Sequence, residues 1–186
     1  MSYKEIEVRF LEIDPQAFKE RLLSVGAEDH GEDFLEEVIF YDKGMNWRDK
    51  EGKFVRIRKN NKGIFLSYKH HLSATTDGVE EIEFEVGDMA KAEAFLERLG
   101  LIAYRHQQKK RHSLQLGEVV ADIDTWPRIP TYVELEGPSE AALQEAAAKL
   151  GLDWKDAVHK SAREVIEQDY KVPVGTMQWF TFERFE

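Results

Sequence analysis

Apolar and polar residues alternate with a period of two through eight stretches of the chain: 3–13, 35–43, 53–60, 63–71, 79–87, 105–115, 117–125 and 130–136. Successive side chains of a strand point to opposite faces, so this period predicts half-buried antiparallel strands. Between them the period becomes helical. Asp14 precedes Pro15 and a stripe of Phe18, Leu22 and Val25 that stops at Gly26. Asp88 precedes Met89, Ala92, Leu96 and Leu99, stopping at Gly100, and Ser139 precedes Leu143, Ala147 and Leu150, stopping at Gly151. A short polar side chain can accept from the first free N–H groups of a helix, and a following glycine can reverse the chain, so three helices are predicted. A fourth is predicted over about 160–170, ending before Pro173. Ser73–Gly78 reads as a polar loop, and Trp126-Pro-Arg-Ile-Pro130 as a turn stiffened by two prolines. The aromatic tail, Trp179-Phe-Thr-Phe182 with Phe185, reads as a packed terminal strand.

In most of these strands one face carries charges of both signs while the other carries core residues. Glu5, Glu7 and Arg9 alternate with Ile6, Val8 and Phe10, and Arg56 and Arg58 with Val55 and Ile57. Glu81, Glu83 and Glu85 alternate with Ile82, Phe84 and Val86, and Glu134 and Glu136 with Val133 and Leu135. Ser67 and Lys69 lie in the fourth stretch, Arg105, Lys109 and Arg111 in the sixth, and Asp122 and Asp124 in the seventh. An open sheet with one face in water would alternate in the same way. If helices cover the apolar faces, however, the charged faces turn inward, where an isolated charge is very costly unless pairing, water or a charged ligand offsets it. Eight strands closed on themselves leave room for side chains or one small ligand, so the mixed charges read as the lining of a binding tunnel.

Composition narrows the partners. At 186 residues and 42% hydrophobic, the chain can bury a sizeable core and is read as one domain. Its net charge of −10 argues against nonspecific binding to nucleic acid or to an anionic membrane, since both select a cationic face. The absence of cysteine excludes disulfides, thiolate metal sites and a cysteine nucleophile. Together with the charged opening Lys4-Glu5-Ile6-Glu7-Val8-Arg9, it makes the cytoplasm the expected location. The six histidines have no metal-ligand spacing and are expected on the surface or in loops, while Tyr41, Trp47 and Trp126 are read as core or rim. Lys160 and Arg163 are read as solvated, and neither a Walker-type glycine loop nor a nucleophile elbow is present.

Mixed charge in one cavity has a chemical rationale. The arginine fork donates in parallel to phosphate oxygens, and lysine adds a movable point charge. Carboxylates bind hard cations, and a cation bridging to phosphate removes the repulsion between the two anions.

Taken in order, Glu5-x-Glu7-x-Arg9, Arg56-x-Arg58, Lys69, Glu81-x-Glu83, Lys109-x-Arg111, Asp122-x-Asp124 and Glu134-x-Glu136 resemble the CYTH superfamily over about residues 3–170. That superfamily, named for class IV adenylyl cyclases and thiamine triphosphatases, is also called the triphosphate tunnel metalloenzymes. The resemblance implies an α+β fold, a closed eight-stranded antiparallel barrel with helices outside, in a single domain over 1–186 with an aromatic tail from about 171. It implies a triphosphate held by Arg9, Arg56, Arg58, Lys69, Lys109 and Arg111, and Mg2+ or Mn2+ held by Glu5, Glu7, Asp122, Glu134 and Glu136. Lys69, Glu83 and Asp122 are the expected catalytic groups.

Two positions depart from the family pattern: Arg9 stands where lysine is usual, and Phe40 stands where thiamine triphosphatases have a tyrosine, with Tyr41 on the opposite face. On that reading the expected activity is that of a class IV adenylyl cyclase-like enzyme converting ATP to cyclic AMP and pyrophosphate. The alternatives are hydrolysis of the terminal phosphate of tripolyphosphate or thiamine triphosphate, and a noncatalytic polyphosphate or nucleotide sensor. The expected partner is a triphosphate-containing small molecule, with neither nucleic acid nor membrane, acting on a monomer or homodimer.

Overall fold

The computed structural model describes residues 6–71 and 79–186, so Glu5 and the loop Ser73–Gly78 lie outside the described residues. Nine strands form: β1 (Ile6–Phe10), β2 (Glu28–Asp42), β3 (Lys53–Asn60), β4 (Gly63–His71), β5 (Val79–Val86), β6 (Leu101–Leu116), β7 (Val119–Thr125), β8 (Tyr132–Gly137) and β9 (Trp179–Phe180). The helices are α1 (Pro15–Ser24), α2 (Met89–Arg98), α3 (Glu140–Lys149) and α4 (Ala162–Glu164). A π-helical turn over Trp47–Glu51 joins β2 to β3.

The helices begin where their caps put them. Ala17 N donates to Asp14 Oδ1 at 2.8 Å, Lys91 N to Asp88 Oδ1 at 3.0 Å and Ala142 N to Ser139 Oγ at 3.2 Å. Gly26, Gly100 and Gly151 follow at φ 88°, 93° and 66°, a backbone shape that costs glycine least. The fourth helix is shorter than expected, because α4 passes at once into a π-helical turn over Val165–Asp169. β2 begins seven residues before the predicted stretch, since Glu28–Asp33 is polar on both faces and its strand character comes from pairing, not alternation.

The hydrogen-bonded order is β1-β8-β7-β6-β2-β3-β4-β5, with β9 beside β6. β1 with β8, β8 with β7, β7 with β6, β2 with β3, β3 with β4 and β4 with β5 pair antiparallel, whereas β9 runs parallel to β6. The expected closed eight-stranded barrel is therefore corrected at the level of hydrogen bonds: β1 and β5 end the order, no pairing joins them among the described residues, and the tail adds a ninth strand.

The chain divides into two compact units, one of Phe34–Lys109 and Met177–Glu186, the other running up to Asp33 and from Lys110 to Thr176. In the second unit α1 and α3 cover the apolar faces of β1, β7 and β8. Phe18, Leu22, Leu143, Ala147 and Leu150 pack with Val8, Phe10, Ala121, Ile123, Val133 and Leu135. In the first, Leu96 of α2 packs on Val38, Phe40, Val55 and Ile57. That cluster reaches Leu66 and Tyr68 on β4 but not β5, where Ile82 and Phe84 stay 57% and 54% exposed. The expectation that helices cover the apolar face thus holds for most strands, and it turns their charged faces away from the helices.

Leu135 is fully buried between the charged positions Glu134 and Glu136 of β8. Its replacement by alanine is expected to lower unfolding free energy by about 2–5 kcal/mol in urea denaturation. A cost below about 1 kcal/mol would mean that this face is not the core of its unit.

Candidate functional site

In the first unit the pairing registers build rows of charged and polar side chains across the strands. Glu37, Arg58, Phe65 and Glu85 form one row, and Ile39, Arg56, Ser67 and Glu83 the next. Phe54, Lys69 and Glu81 form a third. Glu37 is the centre of this group. It is 3% exposed, its Oε1 accepts from Arg58 Nε at 2.6 Å and lies 3.5 Å from Arg56 Nη1, and its Oε2 accepts from Gln107 Nε2 at 2.5 Å. Arg56 also lies 3.6 Å from both Glu81 and Glu83, and Lys69 lies 2.9 Å from Glu81. Burial opposes the charge on Glu37, but Arg58, Arg56 and Lys109 more than offset it and hold its carboxyl well below the usual range. Burial, added to by Arg58, lowers the pKa of Arg56. Arg56 Nε and Ser67 Oγ are buried with no hydrogen-bond partner among the described residues.

In the second unit the acids outnumber the bases. Arg9, Glu134, Asp122 and Ser113 form a row across β1, β8, β7 and β6, and Glu7 and Glu136 face each other in the adjoining row. Arg9 donates to Glu7 at 2.8 Å, to Glu134 at 2.5 Å and to the Lys160 carbonyl at 2.5 Å. Arg111 holds Asp124 through two bonds of 2.7 Å, approaches Glu134 at 3.3 Å and pairs with Asp122. Burial weighs against Arg9 and Arg111, yet the carboxylates around them raise both pKa values further. Asp122 goes the other way: burial outweighs Arg111 and the Ser113 hydroxyl, and its carboxyl rises above its ordinary value. Among the described residues, no three acidic or histidine side chains form a ready-made metal cage, because arginines stand among these acids.

The CYTH domain profile matches residues 3–165. The chain belongs to the CYTH family. No curated protein matches it significantly. Among solved structures, a conserved hypothetical protein from Pyrococcus furiosus is similar with a TM-score of 0.71 and 27% identity, over 87% of this chain and 99% of that one. A candidate adenylate cyclase from Vibrio parahaemolyticus has a TM-score of 0.72 at 20% identity, over 90% and 99% of the two chains. A candidate adenylyl cyclase from Hippeastrum, reported with a dominant triphosphatase activity, has a TM-score of 0.65 at 15% identity, over 93% and 99%. At the last two identities the likeness is one of fold. No helix among the described residues is long and apolar enough to cross a membrane.

The CYTH motif residues thus fall into two groups. Arg56, Arg58, Lys69, Glu81, Glu83 and Lys109 belong to the first unit, and Glu7, Arg9, Arg111, Asp122, Asp124, Glu134 and Glu136 to the second. Phe40 and Tyr41 lie on opposite faces of β2, as expected. Phe40 packs in the apolar cluster with Val55 and Ile57, whereas Tyr41 lies edge-on to Phe54, whose strand partner is Lys69. Strand alternation puts Tyr41, not Phe40, on the face of Arg56. Two histidines of β6 have partners without being buried: His112 is bonded to Asp29 at 2.6 Å and His106 stacks on Trp179 at 4.2 Å. Trp126 is buried and donates to Tyr132 Oη at 2.8 Å, as a structural turn requires. Sequence reasoning missed Glu37 and Gln107. Ile39 stands next to Glu37 on the same face, so β2 shows no charged run there.

The depressed carboxyl of Glu37 has a thermodynamic consequence. Its folded-state pKa lies below the unfolded one, so its contribution to stability is complete above the ordinary glutamate range and is lost as pH falls toward the folded value. Glu37→Gln is expected to lower the melting temperature at pH 7, with the gap to the parent narrowing as pH drops below about 4. A gap that is constant across pH would show that Glu37 acts through shape and not through charge.

Proposed function

We propose that this CYTH protein binds a compound ending in a triphosphate and, with a divalent metal ion, cleaves its phosphate chain. The observation that carries this reading is the buried donor set around Arg56 and Ser67, which includes two polar atoms without partners among the described residues. A buried donor without a partner is costly, and a phosphate chain offers many acceptor oxygens. Arg56, Arg58, Lys69 and Lys109 are assigned to the phosphates, with Arg9 and Arg111 contributing charge while holding the neighbouring acids in place. The family match runs through both units from residue 3 to residue 165, which supports reading that span as one CYTH domain.

The second unit's acids suit a hard cation in kind and in charge. Burial already raises Asp122, so nearby positive charge would relieve it. Glu7, Asp122, Glu134 and Glu136, with Glu5, would hold Mg2+ or Mn2+. When bound, the cation would neutralise charge on the phosphates and polarise a phosphoryl oxygen. Lys69 and Arg56 are assigned to orienting the phosphates, and Glu83 of the first unit and Asp122 of the second are assigned as acid–base groups.

Two reactions fit this inventory. Hydrolysis of the terminal phosphate is favoured by Tyr41, since the residue on the face of Lys69 is the tyrosine that a thiamine triphosphatase-like site requires. Cyclisation of ATP, in which the ribose hydroxyl attacks the α-phosphorus, is the second reading; it rests on the motif spacing.

Incubation with tripolyphosphate, thiamine triphosphate or ATP in the presence of Mg2+ or Mn2+ distinguishes them. Orthophosphate release is expected, cyclic AMP with pyrophosphate would select the second reading, and tight binding without turnover would select a sensor. Arg58→Ala is expected to weaken tripolyphosphate binding at least about tenfold in calorimetry, as a charged hydrogen bond contributes about 1.5–3 kcal/mol. Glu136→Gln keeps the side-chain volume and removes a metal-binding charge, so turnover at limiting metal should collapse while the fold survives. Normal turnover in that variant would remove Glu136 from the metal site.

A further inference from the structure

Beyond the residues that the family motifs mark, the first unit holds a carboxylate that a phosphate-binding group would be expected to avoid. Glu37 is buried and anionic, and repulsion alone would weaken any phosphate nearby. Its geometry shows what offsets that cost. Arg58 spends Nε on Glu37, and among the described residues its terminal nitrogens make no hydrogen bond. A guanidinium held by one edge presents its other donors in a fixed plane, which saves the rotamer freedom that a long side chain otherwise loses on binding.

Glu37 is itself held. Gln107 accepts from Arg105 Nε at 2.8 Å through Oε1, which leaves its Nε2 to donate to Glu37. Gln107 lies on the short stretch of β6 that pairs with the tail: His106 faces Trp179 and Gln107 faces Phe180. His106 N donates to the Gln178 carbonyl at 2.8 Å, and the His106 ring stacks on Trp179 with an interplanar angle of 10°. Trp179 also carries the Arg184 guanidinium, 4.4 Å from the ring centre, and Phe180 is fully buried. A turn closes the tail, with Trp179 and Glu186 exchanging backbone bonds of 2.7 and 2.9 Å. A cavity of about 90 Å³, lined by Glu37, His106, Gln107, Met89, Trp179 and Thr181 among others, adjoins this contact. Loss of the indole would enlarge this cavity beside Glu37. The tail lies past residue 165, where the CYTH match ends.

We infer that Glu37, oriented by Gln107, positions Arg56 and Arg58 for the phosphate chain, and that the C-terminal strand β9 fixes Gln107, so that a segment outside the CYTH match sets triphosphate affinity. Glu37 and Gln107 are positioning residues. The inference rests on the proposed phosphate role of Arg56 and Arg58.

The test is calorimetry with inorganic tripolyphosphate on the full chain, at a temperature where every variant is shown to be folded by its melting curve. Glu37→Gln, Gln107→Met and Trp179→Ala are each expected to bind about five- to tenfold more weakly, even though the first removes a repulsive charge. Because the tail acts through Glu37, the double variant Glu37→Gln/Trp179→Ala should bind no more weakly than Glu37→Gln alone. Unchanged or tighter binding in folded Glu37→Gln overturns the positioning role, and additive losses in the double variant overturn the link to the tail. Gln107→Met keeps the test open if Trp179→Ala fails to fold. If the unaltered protein does not bind tripolyphosphate, or if Arg58→Ala binds it normally, the reading of the site itself falls. Normal loss in Arg58→Ala with no loss in the Glu37 and Gln107 variants overturns this inference alone.

Discussion

Charge pairing on the strand faces is the constraint on which the rest of this structure depends. Asp124, fully buried, is held by two bonds from Arg111, and Arg9 at 4% exposure lies between Glu7 and Glu134. Removing one member of such a pair leaves a buried charge uncompensated and costs about 3–5 kcal/mol, more than the intact pair contributes over an apolar replacement. These positions are therefore poor choices for stability alone. Their presence on strand after strand is the strongest physical sign that the faces serve a charged ligand.

The two units resolve their charge differently. Around Glu37 the bases Arg58, Arg56 and Lys109 hold an acid strongly ionised. Around Arg9 and Arg111 the acids are in excess, and burial drives Asp122 toward its protonated form. The first imbalance suits an anion and the second a cation, the two components of a metal triphosphate. In each case the partners already present keep the charges oriented without a ligand, which limits the reorganisation that binding requires.

The apolar layer has a quieter role in the same design. Caps at Asp14, Asp88 and Ser139 fix where the helices begin, and the helices then cover the outer faces of most strands. With one face of a strand sealed, a one-residue slip would drive its charges into the hydrophobic cluster, so the helices fix the register of the charged rows as well. β5 is the exception, since its Ile82 and Phe84 remain more than half exposed.

The sequence by itself determined every element whose information is local. Alternation located the eight main strands and identified Arg56, Arg58, Lys69, Asp122 and Glu134 as residues of charged faces, because a side chain's face follows from its parity along a strand. Capping residues located three helices because one side chain and one backbone N–H decide each start. Tertiary structure decided what depends on pairing between distant segments. It extended β2 through a stretch without alternation, put Tyr41 and not Phe40 on the face of Arg56, and set Glu37 as the partner of Arg58 from 21 positions away. It also brought Gln107 to Glu37 across 70 positions and laid the tail along β6. Periodicity within a strand fixes which way a residue points, but only the register between strands fixes what it meets, and that register is a property of the folded chain.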